Sequence, residues 1–341
     1  MAMLMIRSLD EAIDSKLKAM ASQAERSKEA EARVALRHWV EGQSASKWQQ
    51  EITGRIRRAL ELAASPTSVQ RGEEYTISPA RLAEGIGEEY IGPVQGWIEG
   101  THEPSVSQIR SVAQWCGVDE DWLISGEGVP YRVKYERIPE NPGEGALALL
   151  AGQGGDITSL KALRFFRVEG RRGELTFLRH YKDGKARVFT TPYVVPGNLA
   201  AETGNGGRSS LKHLLLIWQM LYTIYTESDM VSNLMISSHV IPEDLERRLR
   251  QGNDNPLALI ERLRSEPWWE DIWDSSQISR SNYWPGWRET CAELQTEIEH
   301  DKWAMGIRKR LKTFTDDPDA LDKWLSNKDH DLQPETMPWA S

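Results

Sequence analysis

Side chains that can hydrogen-bond to nucleic acid are grouped in residues 82–105 of this 341-residue chain. Apolar residues recur there at intervals of three and four, which predicts two short helices with the apolar positions Leu82, Ile86, Val94, Trp97 and Ile98. Gln95 lies on the opposite face of the second helix. Because an amide can make two hydrogen bonds to an adenine edge, Gln95 is predicted to read a base. A solvated helix residue is the alternative interpretation of Gln95.

The phosphate groups of a duplex bind cations, and four arginines lie near the two predicted helices. We expect phosphate contacts from Arg55, Arg57, Arg58 and Arg81. Further polar residues, at the start of the second helix and in the turn after it, complete the predicted DNA-binding set: Tyr90, Thr101 and His102. Residues 44–128 contain seven basic and thirteen acidic residues, so any basic face must be local.

Capping residues and glycines indicate where the neighbouring helices end. Gly87 can end the first helix in a left-handed turn, and Ser105 and Asp119 are suitable N-caps for two later helices. The order LAxxxG, V-x-x-W and G-x-x-x-P-S over about residues 46–128 resembles the lambda-repressor/Cro-like (XRE) helix-turn-helix family. The resemblance implies a helix-turn-helix domain that binds an operator in double-stranded DNA.

The N-terminal segment is predicted to be one long helix. Residues 9–40 contain no proline or glycine and are rich in Ala, Glu, Lys and Arg. Ile13, Leu17 and Met20 follow a helical repeat that weakens after the third turn, so the helix either packs on the core or pairs in a homodimer. A homodimer would supply the second half of a two-fold symmetric operator.

The remainder of the chain is predicted to form an α+β domain after a linker. Proline and glycine clusters mark the linker, three β-rich runs between 163 and 195 predict a small antiparallel meander, and 211–225 predicts a buried helix. The fold class is thus mainly α with a small antiparallel β-meander. The predicted parts are an N-terminal helix (1–43), a helix-turn-helix domain (44–135), a linker (136–160), an α+β oligomerisation or effector domain (161–332) and a tail (333–341).

Two features of the C-terminal domain suggest possible partners. The meander interleaves basic and aromatic residues, which is typical either of contact with nucleic acid or an acidic effector, or of a solvated sheet face. Six tryptophans lie between 268 and 303, and Trp268 and Trp269 stand among acidic residues. They either anchor a protein partner or pack the core.

Composition and motifs argue against several other classes of function. The longest apolar run, 214–218, is far shorter than the roughly 20 residues that cross a bilayer, and no signal peptide is recognised, so we expect a cytoplasmic protein that does not contact membranes. The two cysteines lie far apart without other ligands at metal-binding spacing, which predicts no disulfide, metal or cofactor. No catalytic motif is found, so no enzymatic activity is expected.

These observations predict a sequence-specific DNA-binding transcriptional regulator that acts as a homodimer. A repressor of phage or mobile-element type is the expected setting, by the family resemblance. The alternative is a non-enzymatic protein-interaction module, an inhibitor or antitoxin-like protein that uses a helix-turn-helix fold without reading an operator.

Overall fold

The computed structural model describes residues 9–43, 47–64, 77–151, 156–170, 172–199, 204–327 and 332–334. It contains an N-terminal pair of helices, a unit of five short helices and a larger α+β part. The predicted tail, 333–341, lies outside the described residues except for its first two positions.

The N-terminal segment forms two helices, α1 (Glu11–Gln23) and α2 (Lys28–Gln43), where the sequence predicts one. The break contains Glu25, whose φ of 51° is in the left-handed region. Ser27 then begins the second helix, because its hydroxyl accepts a hydrogen bond from the Ala30 amide at 3.1 Å. Lys28 Nζ lies 2.9 Å from the Asp14 carboxylate and so links the two helices.

Five short helices follow, in close agreement with the apolar spacing of the sequence: α3 (Lys47–Ala63), α4 (Pro79–Ile86), α5 (Ile91–Glu99), α6 (Val106–Cys116) and α7 (Glu120–Ser125). We call them the five-helix unit. Their apolar faces form one core, in which the most deeply buried residues include Ile52, Ile56, Leu82, Val94, Trp97, Ile109, Val112 and Leu123.

The predicted caps of the five-helix unit are present. Ser105 and Gln108 form a capping box at the start of α6, and the Asp119 carboxylate accepts a hydrogen bond from the Trp122 amide at 3.2 Å. Gly87 and Gly117 end α4 and α6 with φ values of 75° and 72°, a conformation that strongly favours glycine. Local signals in the sequence therefore determine where these helices start and stop.

The C-terminal part is built on a mixed sheet of five strands: β1 (Lys134–Tyr135), β2 (Leu160–Val168), β3 (Glu174–Tyr181), β4 (Ala186–Val194) and β5 (Met235–Ile241). The order is β1-β4-β3-β2-β5. Strands β2 to β4 are antiparallel as predicted, but β1 and β5 join the two edges in parallel. The prediction of a small antiparallel meander is therefore wrong, because two strands distant in sequence extend it into a mixed sheet.

The predicted buried helix is α9 (Asn205–Glu227), which packs with α8 (Pro142–Leu150) in the main core. Leu149 and Leu150 of α8 are fully buried, although α8 lies in the segment that the sequence predicts to be a linker, 136–160. On one face of the sheet, Phe165 and Phe177 contact this core. On the other face, Phe166 belongs to a smaller cluster that α10 (Glu243–Gln251) and α11 (Pro256–Ile260) help to form.

Five further helices complete the fold: α12 (Trp268–Asp271), α13 (Ser275–Ile278), α14 (Trp287–Glu299), α15 (Lys302–Asp316) and α16 (Pro318–Leu325). Trp268 and Trp269 are 0% and 2% exposed, so they pack the core and do not form an exposed anchor. Within the described residues, no helix combines the length and apolar character needed to cross a membrane.

Candidate nucleic-acid interface

Helix α5 carries the residue predicted to read a base. Gln95 is exposed, as its position opposite Val94 and Trp97 requires, and its Nε2 donates a hydrogen bond to Glu99 Oε1 at 2.7 Å. Tyr90, the N-cap residue of α5, is 65% exposed and makes no side-chain cap hydrogen bond. One of the two N–H groups of the Gln95 amide is therefore engaged by a carboxylate of the same helix.

Two of the predicted phosphate-binding arginines are engaged by the five-helix unit itself. Arg55 donates to the carbonyl oxygens of Leu123 and Ile124, each at 2.8 Å, and thereby joins α3 to the end of α7. Burial lowers the pKa of the Arg55 guanidinium. Arg57 donates to the Ile98 carbonyl at 2.7 Å, which joins α3 to α5. Both side chains satisfy carbonyl groups near helix C-terminal ends.

The other predicted contact residues are spread over α3, α4 and the turn after α5. Arg58 pairs with Glu61 at 3.1 Å on α3, and Arg81 is exposed in the first turn of α4. Thr101 and His102 interact with each other, with Oγ1 and Nδ1 3.2 Å apart. His102 also packs against Gly96, where a Cβ atom would lie 2.3 Å from its Nδ1. These two residues therefore help to fix the turn after α5.

The exposed surface around the start of α5 is apolar and acidic. Ile91 is 50% exposed beside Tyr90, and Val106, in the first turn of α6, is 47% exposed. A 2.9 Å hydrogen bond from Gln108 Nε2 to Glu88 Oε1 holds the start of α6 against the α4–α5 turn. We call this region, with its neighbouring residues Glu88 and Glu89, the α5 surface. Helix α5 contains no lysine or arginine, so its own charge does not favour phosphate.

Two basic residues of the predicted meander are buried within the protein. Arg167 is 1% exposed and donates to the carbonyls of Val195, Val168 and Gly170. Arg179 is 6% exposed and forms a two-pronged pair with Glu136, with distances of 2.6 and 3.1 Å. These two arginines stabilise the fold and do not offer a surface to nucleic acid.

The N-terminal helix pair exposes an apolar stripe along α1. Ile13 and Met20 lie two turns apart on α1 and are 52% and 51% exposed, and Leu9 before the helix is 38% exposed. Leu17 lies between them and is half-buried. We call these four residues the α1 stripe. A stripe of this length on a two-helix segment is typical of a surface that packs against another chain.

Charged groups also organise the helix pair. Asp14 accepts from Lys18 at 2.7 Å and from Lys28 at 2.9 Å, and these hydrogen bonds lower the pKa of its carboxyl group. The sequence does contain the signal for the break, since Ser27 precedes a first turn that holds Glu29 and Glu31. Proline and glycine, the usual markers of a helix break, are both absent from the segment between α1 and α2.

Residues 2–40, which include α1 and most of α2, match the family model described as antitoxin FitA-like, ribbon-helix-helix. No curated protein and no solved structure matches the chain. The matching family is not the lambda-repressor/Cro-like family, so the family assignment made from residues 46–128 is wrong. The caps, glycines and apolar spacing of residues 46–128 specify short packed helices, which many unrelated proteins contain. Over residues 2–40 the chain is similar to antitoxin FitA-like ribbon-helix-helix domains.

Proposed function

We propose that this protein is a DNA-binding regulator of the antitoxin kind, in which the N-terminal helix pair, doubled by a second copy of the chain, carries the DNA contacts. The match of residues 2–40 to a ribbon-helix-helix antitoxin family is the observation that carries the proposal. The two-helix geometry of α1 and α2 agrees with it. The family match supports the antitoxin-like alternative from the sequence better than the main hypothesis, an operator-reading repressor of phage type. The present proposal differs from that alternative because it keeps contact with DNA.

The α1 stripe supports pairing of two chains. Full burial of a large apolar side chain contributes about 1.5–3 kcal/mol, so covering Ile13 and Met20 would favour association. Pairing also places two copies of the exposed Lys16 in one dimer. Two-fold symmetry then allows two DNA half-sites to be bound together, which raises affinity without new kinds of contact.

The test is a double substitution, Ile13→Glu with Met20→Glu, in the full-length protein. We expect wild-type protein to be dimeric in light scattering and to bind DNA from upstream of its own gene in the presence of competitor DNA. The double variant should be monomeric, and its DNA affinity should fall by about 100-fold or more, because the carboxylates prevent pairing.

The matched control is Ser15→Glu with Ser22→Glu, which adds the same charge to exposed positions of α1 away from the stripe. This control should remain dimeric, and any purely electrostatic loss of DNA affinity should appear in it too. Equal DNA affinities for the stripe variant and wild type would contradict the proposal. A wild-type protein that stays monomeric when bound to DNA would contradict it as well.

The second candidate function is inhibition of a protein partner through the α5 surface. Tyr90, Ile91 and Val106 are exposed together beside Glu88 and Glu89, a combination that favours a partner with an apolar patch rimmed by basic residues. The antitoxin likeness also favours a protein target, although the matching segment lies elsewhere in the chain.

The α5 surface is tested by identifying proteins that copurify with the wild-type chain and then titrating the purified candidate. Tyr90→Ser with Ile91→Ser should weaken its binding at least about tenfold, since aromatic and aliphatic anchors dominate interfaces. Ser107→Ala, in the first turn of α6, is the control and should bind as wild type does. A partner that binds both variants equally would exclude the α5 surface.

A further inference from the structure

A cleft with a volume of about 480 Å³ lies where the five-helix unit meets the β3–β4 hairpin. One wall comes from residues 114–121 at the end of α6 and the start of α7, and the other comes from residues 185–187 of β4 and its preceding turn. Lys134 of β1 also lines the cleft. This volume lies in the range of about 300–1,000 Å³ that is usual for small-molecule sites.

Backbone hydrogen bonds hold the walls of the cleft in place. The Asp119 amide donates to the Pro130 carbonyl at 2.7 Å, so the chain leaving α7 folds back against the start of that helix. The Tyr131 amide donates to the Gly252 carbonyl at 2.9 Å, which fastens the same segment to the end of α10. Asn255 Nδ2 donates to the Leu62 carbonyl at 2.9 Å and joins the two parts of the molecule again. The cleft is therefore preformed.

The acidic groups of the cleft already have cationic partners. Arg132 contacts Asp119 Oδ2 through Nε at 3.2 Å and Asp121 Oδ2 through Nη2 at 3.2 Å. Glu120 lies 3.8 Å from Arg110. On the opposite wall, Lys185 pairs with Asp183 at 3.0 Å. The charges on these residues are largely compensated within the protein.

Lys134 and Arg187 differ from these residues. Among the described residues, neither has a carboxylate oxygen within ion-pair distance, although the Arg187 guanidinium is near enough to Asp183, the partner of Lys185, to interact with its charge. Arg187 is half-buried, with its guanidinium 5.9 Å from the centre of the Tyr181 ring. Lys134 and Arg187, neither held in a close ion pair, thus line a concave site, where an anion would interact with them more strongly than in open solvent.

We propose that this cleft binds a small organic phosphate, with its phosphate group on Lys134 and Arg187. A phosphate monoester carries about two negative charges at neutral pH, which Lys134 and Arg187 together can balance. A guanidinium binds two phosphate oxygens at once, and an ammonium adds a point charge. The cleft is much larger than a phosphate ion, so the organic part fills the remaining space.

The binding test uses the full-length protein with three probes: inorganic phosphate, ribose 5-phosphate and adenosine monophosphate. Calorimetric titration should show saturable binding with one site per chain. At least one organic phosphate should bind about tenfold more tightly than inorganic phosphate, because it contacts more of the cleft. The double variant Lys134→Gln with Arg187→Gln should weaken that binding by about 100-fold, or about tenfold for each cation removed.

The matched control is Arg280→Gln with Lys312→Gln, which removes the same charge from exposed positions that do not line the cleft. It should bind the organic phosphate as tightly as wild type. Thermal unfolding without ligand checks that both double variants are folded. Absence of binding by all three probes would overturn the proposal, as would equal binding by the cleft variant and the wild type. Inorganic phosphate binding as tightly as both organic phosphates would also overturn it.

Discussion

The N-terminal helix pair and the five-helix unit are both made of short amphipathic helices, yet they bury their apolar residues differently. In the five-helix unit, Trp97 and Ile109 are 2% and 0% exposed. In the helix pair, Ala21 is the one buried apolar residue of α1 and half of the Ile13 side chain is exposed. The core of the five-helix unit thus forms within a single chain, whereas the α1 stripe remains exposed in it.

The two regions also use charge differently. Arg55 and Arg57 bind carbonyl groups inside the five-helix unit, so they are part of its structure. In the helix pair, Lys18 and Lys28 share the Asp14 carboxylate at the surface. A basic residue near a helix is therefore a weak predictor of phosphate binding until its hydrogen-bond partners are known.

The largest expected effect is on the free energy of unfolding, which Trp97→Ala and Met20→Ala should change in different ways. The first should lower the free energy of unfolding of the five-helix unit by about 3–5 kcal/mol at every protein concentration, because it empties a packed core position. The second should destabilise the helix pair only at concentrations where wild-type chains pair. Hydrogen exchange read by mass spectrometry, at several concentrations, resolves the two regions. A concentration-independent effect of Met20→Ala would mean that its own chain covers the α1 stripe.

The next largest effect on the free energy of unfolding is expected from Arg55→Met, which should cost more stability than Arg58→Met. Loss of Arg55 removes the charged donors to two carbonyls of α7 and should cost about 2 kcal/mol of unfolding free energy. Loss of Arg58 breaks an exposed pair with Glu61 and should cost less than about 0.5 kcal/mol. Denaturant unfolding measures both. Equal, small losses would show that the Arg55 hydrogen bonds contribute little to stability.

The smallest expected effect is that of Gln95→Ala on DNA binding. If the helix pair carries the DNA contacts, affinity should change by less than about twofold, because Gln95 then stays bound to Glu99. If Gln95 reads adenine, specific affinity should fall by about 5-fold to 100-fold while nonspecific affinity is retained. Titration onto specific and unrelated fragments separates these outcomes, and the second would move the DNA contacts to the five-helix unit.

Sequence reasoning succeeds where the signal is local. Ser105, Gly117 and Asp119 act on the residues next to them, so the ends of α6 and the start of α7 could be predicted. The parallel pairing of β2 with β5 could not, because Phe165 and Ser238 meet across more than 70 intervening residues. The partners of Arg55 and Arg179 depend on such distant contacts too. The apolar positions Ile13, Leu17 and Met20 of α1 could therefore be named from the sequence, but Lys134 and the hydrogen bonds of the predicted site residues could not.

The position of β5 has a consequence for how the chain folds. Strand β2 lies between β3, which follows it closely, and β5, which is made only after α9. During synthesis, β2 and β3 can pair early, but the other edge of β2 stays open until residue 241 has emerged from the ribosome. An open edge beside Phe165 and Phe166 can pair with strands of other chains. Slow translation between α9 and β5 would therefore lower the yield of soluble protein.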